Sequence, residues 1–221
     1  MLSVQDVVKD FGDLLALNGV SMELGAGETV ALVGSNGAGK STLLRIISGL
    51  LDKTSGEVTV DGHEPGSIEA RAATSYISDN PVLYDDLSVI EHLEYVARMH
   101  DVEDWEEHAW SLLDVLGLRM RADDLPSRFS RGLRQKTSLA IGFIRPASLM
   151  LIDEPFVGLD AAGKKGFLEL IADSAANGVS VLVSTHELGF LERSDGCVAL
   201  SDGAVVKSGK LEAQEVLALM G

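Results

Sequence analysis

The run Gly34-Ser35-Asn36-Gly37-Ala38-Gly39-Lys40-Ser41-Thr42 restricts this chain more than any other stretch in it. It satisfies G-x-x-x-x-G-K-[ST] at every fixed position. In front stands Thr29–Val33, a continuous β-prone segment of the kind a buried parallel strand requires. Behind it, from Lys40 to Leu50, apolar side chains fall at 43, 44, 46, 47 and 50, a helical stripe that stops near Gly49. Strand, glycine-rich turn and helix in that order make a cradle for phosphate. The glycines let successive N–H groups curl around phosphate oxygens with no Cβ in the way. The first turn of the helix adds unpaired N–H groups and the positive end of its dipole. Lys40 supplies a movable charge for the β- and γ-phosphates, and the Ser41 hydroxyl suits Mg²⁺. Gly34, Ser35, Asn36, Gly37, Ala38, Gly39, Lys40, Ser41 and Thr42 are therefore the candidate nucleotide contacts. The loop specifies a nucleotide and not a reaction.

A second segment adds chemistry. Leu149-Met150-Leu151-Ile152 is followed by Asp153 and Glu154. A buried parallel strand carries both acids to its C-terminal end, where ligands sit in open α/β sheets. Asp153 suits a Mg²⁺ partner, mostly through water, and Glu154 suits a general base that polarises an attacking water. A strand that merely ends in solvated acids is the plainer reading, and the intact phosphate loop weighs against it.

Composition sets the limits. The chain has 221 residues, 46% hydrophobic and 24% charged, a globular mixture with enough length for a sizeable core. Lys+Arg is 18 against Asp+Glu 34, a formal net charge of −16. That balance opposes binding to nucleic acid and docking on anionic lipid. A salt-adapted host or simple solubility would both account for it. The single cysteine, Cys197, excludes a disulfide framework and any multi-cysteine zinc site. Residues 1–10 are polar and mixed, unlike a signal peptide. No apolar run reaches the roughly 18–20 residues that span a bilayer. A cytoplasmic chain is expected, with no direct membrane insertion.

Val4–Val8 and Ser21–Leu24 alternate as strands, Gly25 to Glu28 is a turn, and Gly56–Asp61 reads as a strand ending in an Asp61-Gly62 hairpin signal. Near Ser88 the texture changes. Ser88 and Glu91 fit a helix capping box, and the pattern stays helical to Arg145. Trp105, Ala109, Leu112, Leu113 and Leu116 share a face, with Gly117 as the stop. Leu149–Ile152 returns to strand. A helix follows from about Asp160 to Asn177, then a strand over Val179–Ser184 and a hairpin of Cys197–Leu200 with Ala204–Lys207 around Asp202-Gly203. The expected fold is α/β, a single domain over 1–221. A mixed, mainly parallel sheet and an N-terminal antiparallel β region occupy residues 1–87 and 146–221, and a helical subdomain covers about 88–145. His63, His92, His100 and His108 lack metal-ligand spacing and read as surface residues.

With these residues in place the chain resembles an ATP-binding-cassette (ABC) ATPase subunit. Five further features carry the resemblance. Phe11 stands where the family has an aromatic that stacks on adenine. Phe129-Ser130-Arg131-Gly132-Leu133-Arg134-Gln135 stands where the family has its LSGGQ signature. Pro155-Phe156-Val157-Gly158-Leu159-Asp160 is like the D-loop, Ser184-Thr185-His186 is like the switch histidine, and Tyr76-Ile77-Ser78-Asp79 stands at the Q-loop. The match covers essentially the whole chain in the family's order. It implies ATP and Mg²⁺ as cofactors and hydrolysis carried by Lys40, Glu154 and His186. It implies metal contacts from Ser41, Asp79 and Asp153, and nucleotide contacts from Phe11, Ser130, Gly132 and Asp160. Two of these have plainer readings: Phe11 as core packing and His186 as a satisfied core histidine. Ser130 also caps a helix, whatever else it does.

The resemblance further implies a head-to-tail homodimer, or a heterodimer with a related subunit, that clasps ATP between the phosphate loop of one chain and the Ser130 helix of the other. It implies a separate membrane-spanning permease received on Asp79–Leu87 and the helical insert, and a peripheral place on the inner face of the cell membrane. Three positions depart from the pattern. Arg131 and Leu133 replace a signature glycine and glutamine, a form like that of some exporter subunits. Asp79 replaces the Q-loop glutamine; aspartate is shorter and charged, and Asn80 substitutes if the loop slips by one residue. Rival readings are a non-transport ABC ATPase, a nucleotide-gated regulatory module with little turnover, and a phosphate-loop kinase. The last leaves the signature, D-loop and switch histidine unexplained.

Overall fold

The computed structural model describes residues 1–220. The chain forms two compact units. The first comprises Met1–Tyr76, Ala147–Glu154 and the chain from Ser174 onward; the second comprises Ile77–Pro146 and Pro155–Asp173.

The first unit holds two sheets. β1 (Leu2–Asp10), β2 (Leu15–Leu24) and β4 (Ser55–Val60) form an antiparallel sheet in the order β2-β1-β4. Its strands alternate buried and exposed residues, as expected for a sheet with one wet face. The register slips near Asp6, and there a Cβ on Gly56 (φ +89) would lie 2.4 Å from the Asp6 carbonyl, so only glycine fits. The second sheet runs β5-β6-β7-β3-β8-β9, from β3 (Thr29–Val33), β5 (Thr74–Ile77), β6 (Leu149–Asp153), β7 (Ser180–Ser184), β8 (Gly196–Ser201) and β9 (Ala204–Gly209). Every residue of β3, β6 and β7 is buried, which explains the apolar runs at their centres. β6, β7, β3 and β8 are parallel in turn. That pairing aligns their C-terminal ends and sets Asp153 opposite Ser184.

Helix α1 (Lys40–Ile47) follows β3 and buries Leu43, Leu44, Ile46 and Ile47 in the same core as Leu32, Leu151 and Leu182. The β8–β9 hairpin turns on Asp202 (φ 47) and Gly203 (φ 75), both left-handed as a two-residue turn of this type needs. The similar Asp61-Gly62 signal makes no full hairpin. Val60 bridges His63 alone, because β4 pairs with β1 and Pro65 cannot extend a ladder. Among the elements that went unforeseen are α2 (Ile68–Ala73), β5, a 3-10 helix over Leu188–Arg193 and α7 (Ala213–Met220). α2 and β5 are too short to show a period.

The second unit is helical. It contains α3 (Val89–Met99), α4 (Trp105–Val115), α5 (Arg131–Ile144) and most of α6 (Ala161–Ala176). The Ser88 capping box closes in both directions, Ser88 N–H to Glu91 Oε2 at 2.7 Å and Glu91 N–H to Ser88 Oγ at 3.4 Å. Gly117 (φ 67) ends the α4 region in the left-handed conformation. Phe143, Phe156 and Phe167 meet edge to face, with centroids 6.4 and 5.2 Å apart. The segment 88–145 lies inside this unit, together with Pro155–Asp173. The surface placement of His92 is corrected: the ring is 3% exposed. Nδ1 lies 2.8 Å from the Ser88 carbonyl, and Nε2 accepts the Tyr84 N–H at 2.9 Å. It sits beside Val89 and Leu93 on the buried face of α3, where a polar ring is tolerated because both nitrogens are paired.

Candidate nucleotide-binding site

The phosphate loop is shaped from behind. A Cβ on Gly34 would stand 2.4 Å from the Leu200 carbonyl, and one on Gly39 (φ 102) would stand 2.7 Å from the Ala16 carbonyl and Leu17 Cδ2. The β2 and β8 backbones thus press the loop into a cup that only glycine permits. No side chain caps α1, whose N-cap is Gly39, so its first-turn N–H groups are available to an anion.

Charged groups converge below the cup. Lys40 is buried, and its Nζ donates to the carbonyls of Gly34 (2.8 Å) and Ser35 (3.3 Å). It stands 3.3 Å from His186 Nε2 and 3.6 Å from Glu154 Oε1. Burial pulls the Lys40 ammonium below its ordinary pKa, against the opposing pull of Glu154 and Asp153. Glu154 is the first residue past β6 and adopts φ 47. Its N–H is shared between the Ser184 carbonyl (3.1 Å) and Ser184 Oγ (3.0 Å), which fixes this bend. The bend sends the carboxylate to 3.1 Å from His186 Nε2. Glu154 Oε1 nonetheless accepts no well-directed hydrogen bond. His186 Nε2 is also 3.1 Å from Asn36 Oδ1, so this nitrogen faces two oxygens as well as the Lys40 ammonium.

Asp153 is fully buried. Its Oδ1 accepts the Ser184 hydroxyl, and its Oδ2 has no partner. A buried carboxylate oxygen left open is expensive unless something binds it. Such an oxygen suits a hard divalent cation. Among the described residues no group of three His, Cys, Asp or Glu side chains could hold a metal alone. One open carboxylate oxygen beside a phosphate cradle fits Mg²⁺, which takes one or two protein ligands and completes its shell with phosphate oxygens and water.

The structure therefore brings together the phosphate loop, Lys40, Asp153, Glu154, His186 and Asn36. Ser184 was missed; a hydroxyl residue ending the strand beside the acidic one was the available signal. His186 is not a core histidine, since its side chain is 39% exposed. Phe11 is not core packing either: the ring is 54% exposed, with Lys9 Nζ 4.7 Å from its centroid.

The remaining candidates belong to the second unit and are described within it. Asp79 Oδ2 accepts from Asn80 Nδ2 at 3.0 Å. Ser130 Oγ accepts the Leu133 N–H at 3.4 Å and caps α5. A Cβ on Gly132 would lie 2.3 Å from the Gly158 carbonyl, so the signature-like segment and the loop 155–160 touch backbone to backbone. Asp160 Oδ1 accepts the Gly163 N–H (2.8 Å) and pairs with the buried Lys136 Nζ (2.9 Å). These contacts hold its carboxyl below the usual carboxylate range, the Lys136 bond first.

A parallel sheet with a glycine cup at the end of β3, a lysine within it and paired acids at the end of β6 defines a phosphate-loop nucleotide-binding protein. The family profile described as ABC transporter matches residues 17–157. The ABC-type transporter ATP-binding protein EcsA of Bacillus subtilis (strain 168) is 36% identical over 96% of this chain and 87% of its own length. The SkfA peptide export ATP-binding protein SkfE of the same organism is 32% identical over 94% and 88%. Among solved structures, a dimeric ATP-binding cassette in a post-hydrolysis state with ADP and Pi superposes with a TM-score of 0.85 at 25% identity, covering 96% of this chain and 99% of that one. The chain belongs to the ABC transporter family, as a subunit of its ATP-binding type.

Proposed function

We propose that this chain hydrolyses ATP with Mg²⁺, as a head-to-tail dimer beneath a separate membrane-spanning permease, and that the transport it drives is export. The observation that carries the reading is the convergence of Lys40, Glu154 and His186 at the end of β6 and β7, beside the glycine cup.

In this reading Lys40 exchanges the Gly34 and Ser35 carbonyls for β- and γ-phosphate oxygens, a stronger charge-assisted contact. Glu154 accepts the proton of the attacking water, and the absence of a directed bond at Oε1 suits that task. His186 turns its Nε2–H from Asn36 Oδ1 to the γ-phosphate. Ser41 and Asp153 hold Mg²⁺, which when bound neutralises charge developing on the phosphates. Asp79 serves the metal or its water, and Phe11 stacks on adenine. Ser130 Oγ and the Gly132 N–H complete the site of the partner copy, and Asp160 lies in the loop at that junction. The dimeric post-hydrolysis cassette among its structural relatives supports pairing. The exposed Val82 (96%) and Tyr84 (56%) on the loop Asp79–Leu87 support that loop as the permease surface. The relative named for peptide export supports the direction. Among the described residues no helix is long and apolar enough to cross a membrane, so the span is left to the permease and the chain to its cytoplasmic face.

Glu154→Gln tests this directly. With ATP and Mg²⁺ the variant should bind nucleotide, accumulate as dimer in light scattering and release almost no phosphate. Parental phosphate release would remove Glu154 from the role. Parental protein that binds ATP without any turnover would favour the regulatory-module reading instead.

A further inference from the structure

The second unit contains a connection that nucleotide chemistry does not require. Arg134, in the first turns of α5, sends its guanidinium to two separate loops. Nη1 donates to the Pro126 carbonyl at 3.2 Å and Nη2 to the Pro81 carbonyl at 3.1 Å. Pro126 stands just ahead of Phe129 and Ser130, while Pro81 opens the exposed loop that carries Val82 and Tyr84. A fork of fixed geometry bridges two carbonyls in a way that a lysine ammonium cannot reproduce.

Other contacts make this bridge informative. The loop 81–88 is held again at Tyr84, whose N–H donates to His92 Nε2. Where the loop ends, the first N–H groups of α3 do not go to water. Val89 N–H donates to the Asp124 carbonyl (3.2 Å) and Ile90 N–H to the Ala122 carbonyl (2.9 Å). The apolar loop and the segment 122–130 therefore lie side by side. Backbone bonds join them at one end and Arg134 joins them at the other. Val82, the most exposed residue of the loop, lies between the Pro81 and Tyr84 anchors. The Arg134 fork gives force applied there a side-chain path to the residues before Ser130.

We propose that Arg134 is a positioning residue that couples the Pro81–Leu87 loop to the Ser130–Gly132 segment, so that occupation of the loop by a partner sets the placement of the Ser130 hydroxyl and Gly132 N–H. The functional half rests on the permease and dimer reading above; the mechanical half stands on the hydrogen bonds alone. Arg134 itself touches no nucleotide.

The test is a double-mutant cycle read by hydrogen exchange on the full chain without nucleotide. His92→Leu removes the Tyr84 anchor and should raise exchange about tenfold in peptides covering 80–87, the scale expected for losing a buried hydrogen bond. With Arg134 in place the effect should extend to peptides covering 126–133. In the Arg134→Gln background it should stop at 80–87. Loosening confined to 80–87 in both backgrounds, or reaching 126–133 equally in both, overturns the coupling. Arg134→Lys, which retains the charge and reaches one carbonyl, should give an intermediate result and replaces Arg134→Gln if that variant does not fold. In a second arm, Arg134→Gln should keep nucleotide affinity and lower kcat about tenfold, with partial recovery in Arg134→Lys. A fall in affinity with unchanged kcat would contradict a positioning role. If the parental chain shows no turnover, the failure belongs to the proposed function, and the exchange cycle still decides Arg134.

Discussion

Two lysines are buried in this chain, and they are treated differently. Lys40 is 7% exposed at its side chain and stands 3.6 Å from a carboxylate whose facing oxygen accepts no directed bond. The neighbouring Asp153 Oδ2 is buried and open. Lys136 is 9% exposed and meets Asp160 at 2.9 Å, while the same carboxylate oxygen caps the first turn of α6. The second arrangement is complete within one chain. The first is looser: Lys40 and His186 meet, but Glu154 Oε1 and Asp153 Oδ2 are left without a hydrogen-bond partner. A finished ion pair holds a fold, and an unfinished one awaits a ligand.

Substitutions at each place separate the two roles. The largest effect is expected at the unfinished cluster: Glu154→Gln should lower the rate of phosphate release by about 10²–10⁴-fold, the range for losing a general base. Its urea midpoint should stay near the parent's, which equilibrium denaturation can check. At the finished junction Gly132→Ala should destabilise by about 1–3 kcal/mol, because a Cβ there lies 2.3 Å from the Gly158 carbonyl. A parental midpoint would show that the loop yields freely. Ser88→Ala, losing the α3 capping box, should cost about 1 kcal/mol in the same measurement. Lys136→Met should cost about 1 kcal/mol or less, since the Asp160 partner is 66% exposed and solvent screens the pair.

The smallest effect concerns pH. Asp160 binds its proton more weakly in the folded chain than in the unfolded one. Its contribution to stability is therefore present above the ordinary carboxylate range and is lost as pH falls through that range to the lower folded value. Melting temperature followed from neutral pH into acid should fall less steeply in Asp160→Asn than in the parent. Superimposable profiles would show that the Lys136 contact does not influence folding.

Much of this is legible in the sequence alone. The cup needs glycine at fixed positions, β3 and β6 need unbroken apolar runs, and Ser88 with Glu91 writes a helix start in side chains alone. The gathering of Glu154 and His186 followed from two strands ending in polar residues. Part of what escaped detection depended on partners elsewhere along the chain. His92 looked like surface because nothing local shows that Tyr84 folds back to bond it. Lys136 stands in a polar stretch, Arg134 to Ser138, and yet is buried, because Asp160 waits at the far end of a loop. α2, six residues capped by Ser67, is set by that one hydroxyl and by packing rather than by any repeat.

The left-handed turn at Glu154 has a consequence for how position 154 can be explored. A residue with a Cβ at φ 47, directly ahead of a proline, is held there by Ser184 rather than by its own preference. Aspartate and asparagine tolerate that conformation better than most side chains. Glu154→Asp therefore keeps the backbone at ease while drawing the carboxylate back by one methylene. It acts as a ruler, separating how much of the rate depends on reach from how much depends on the bend.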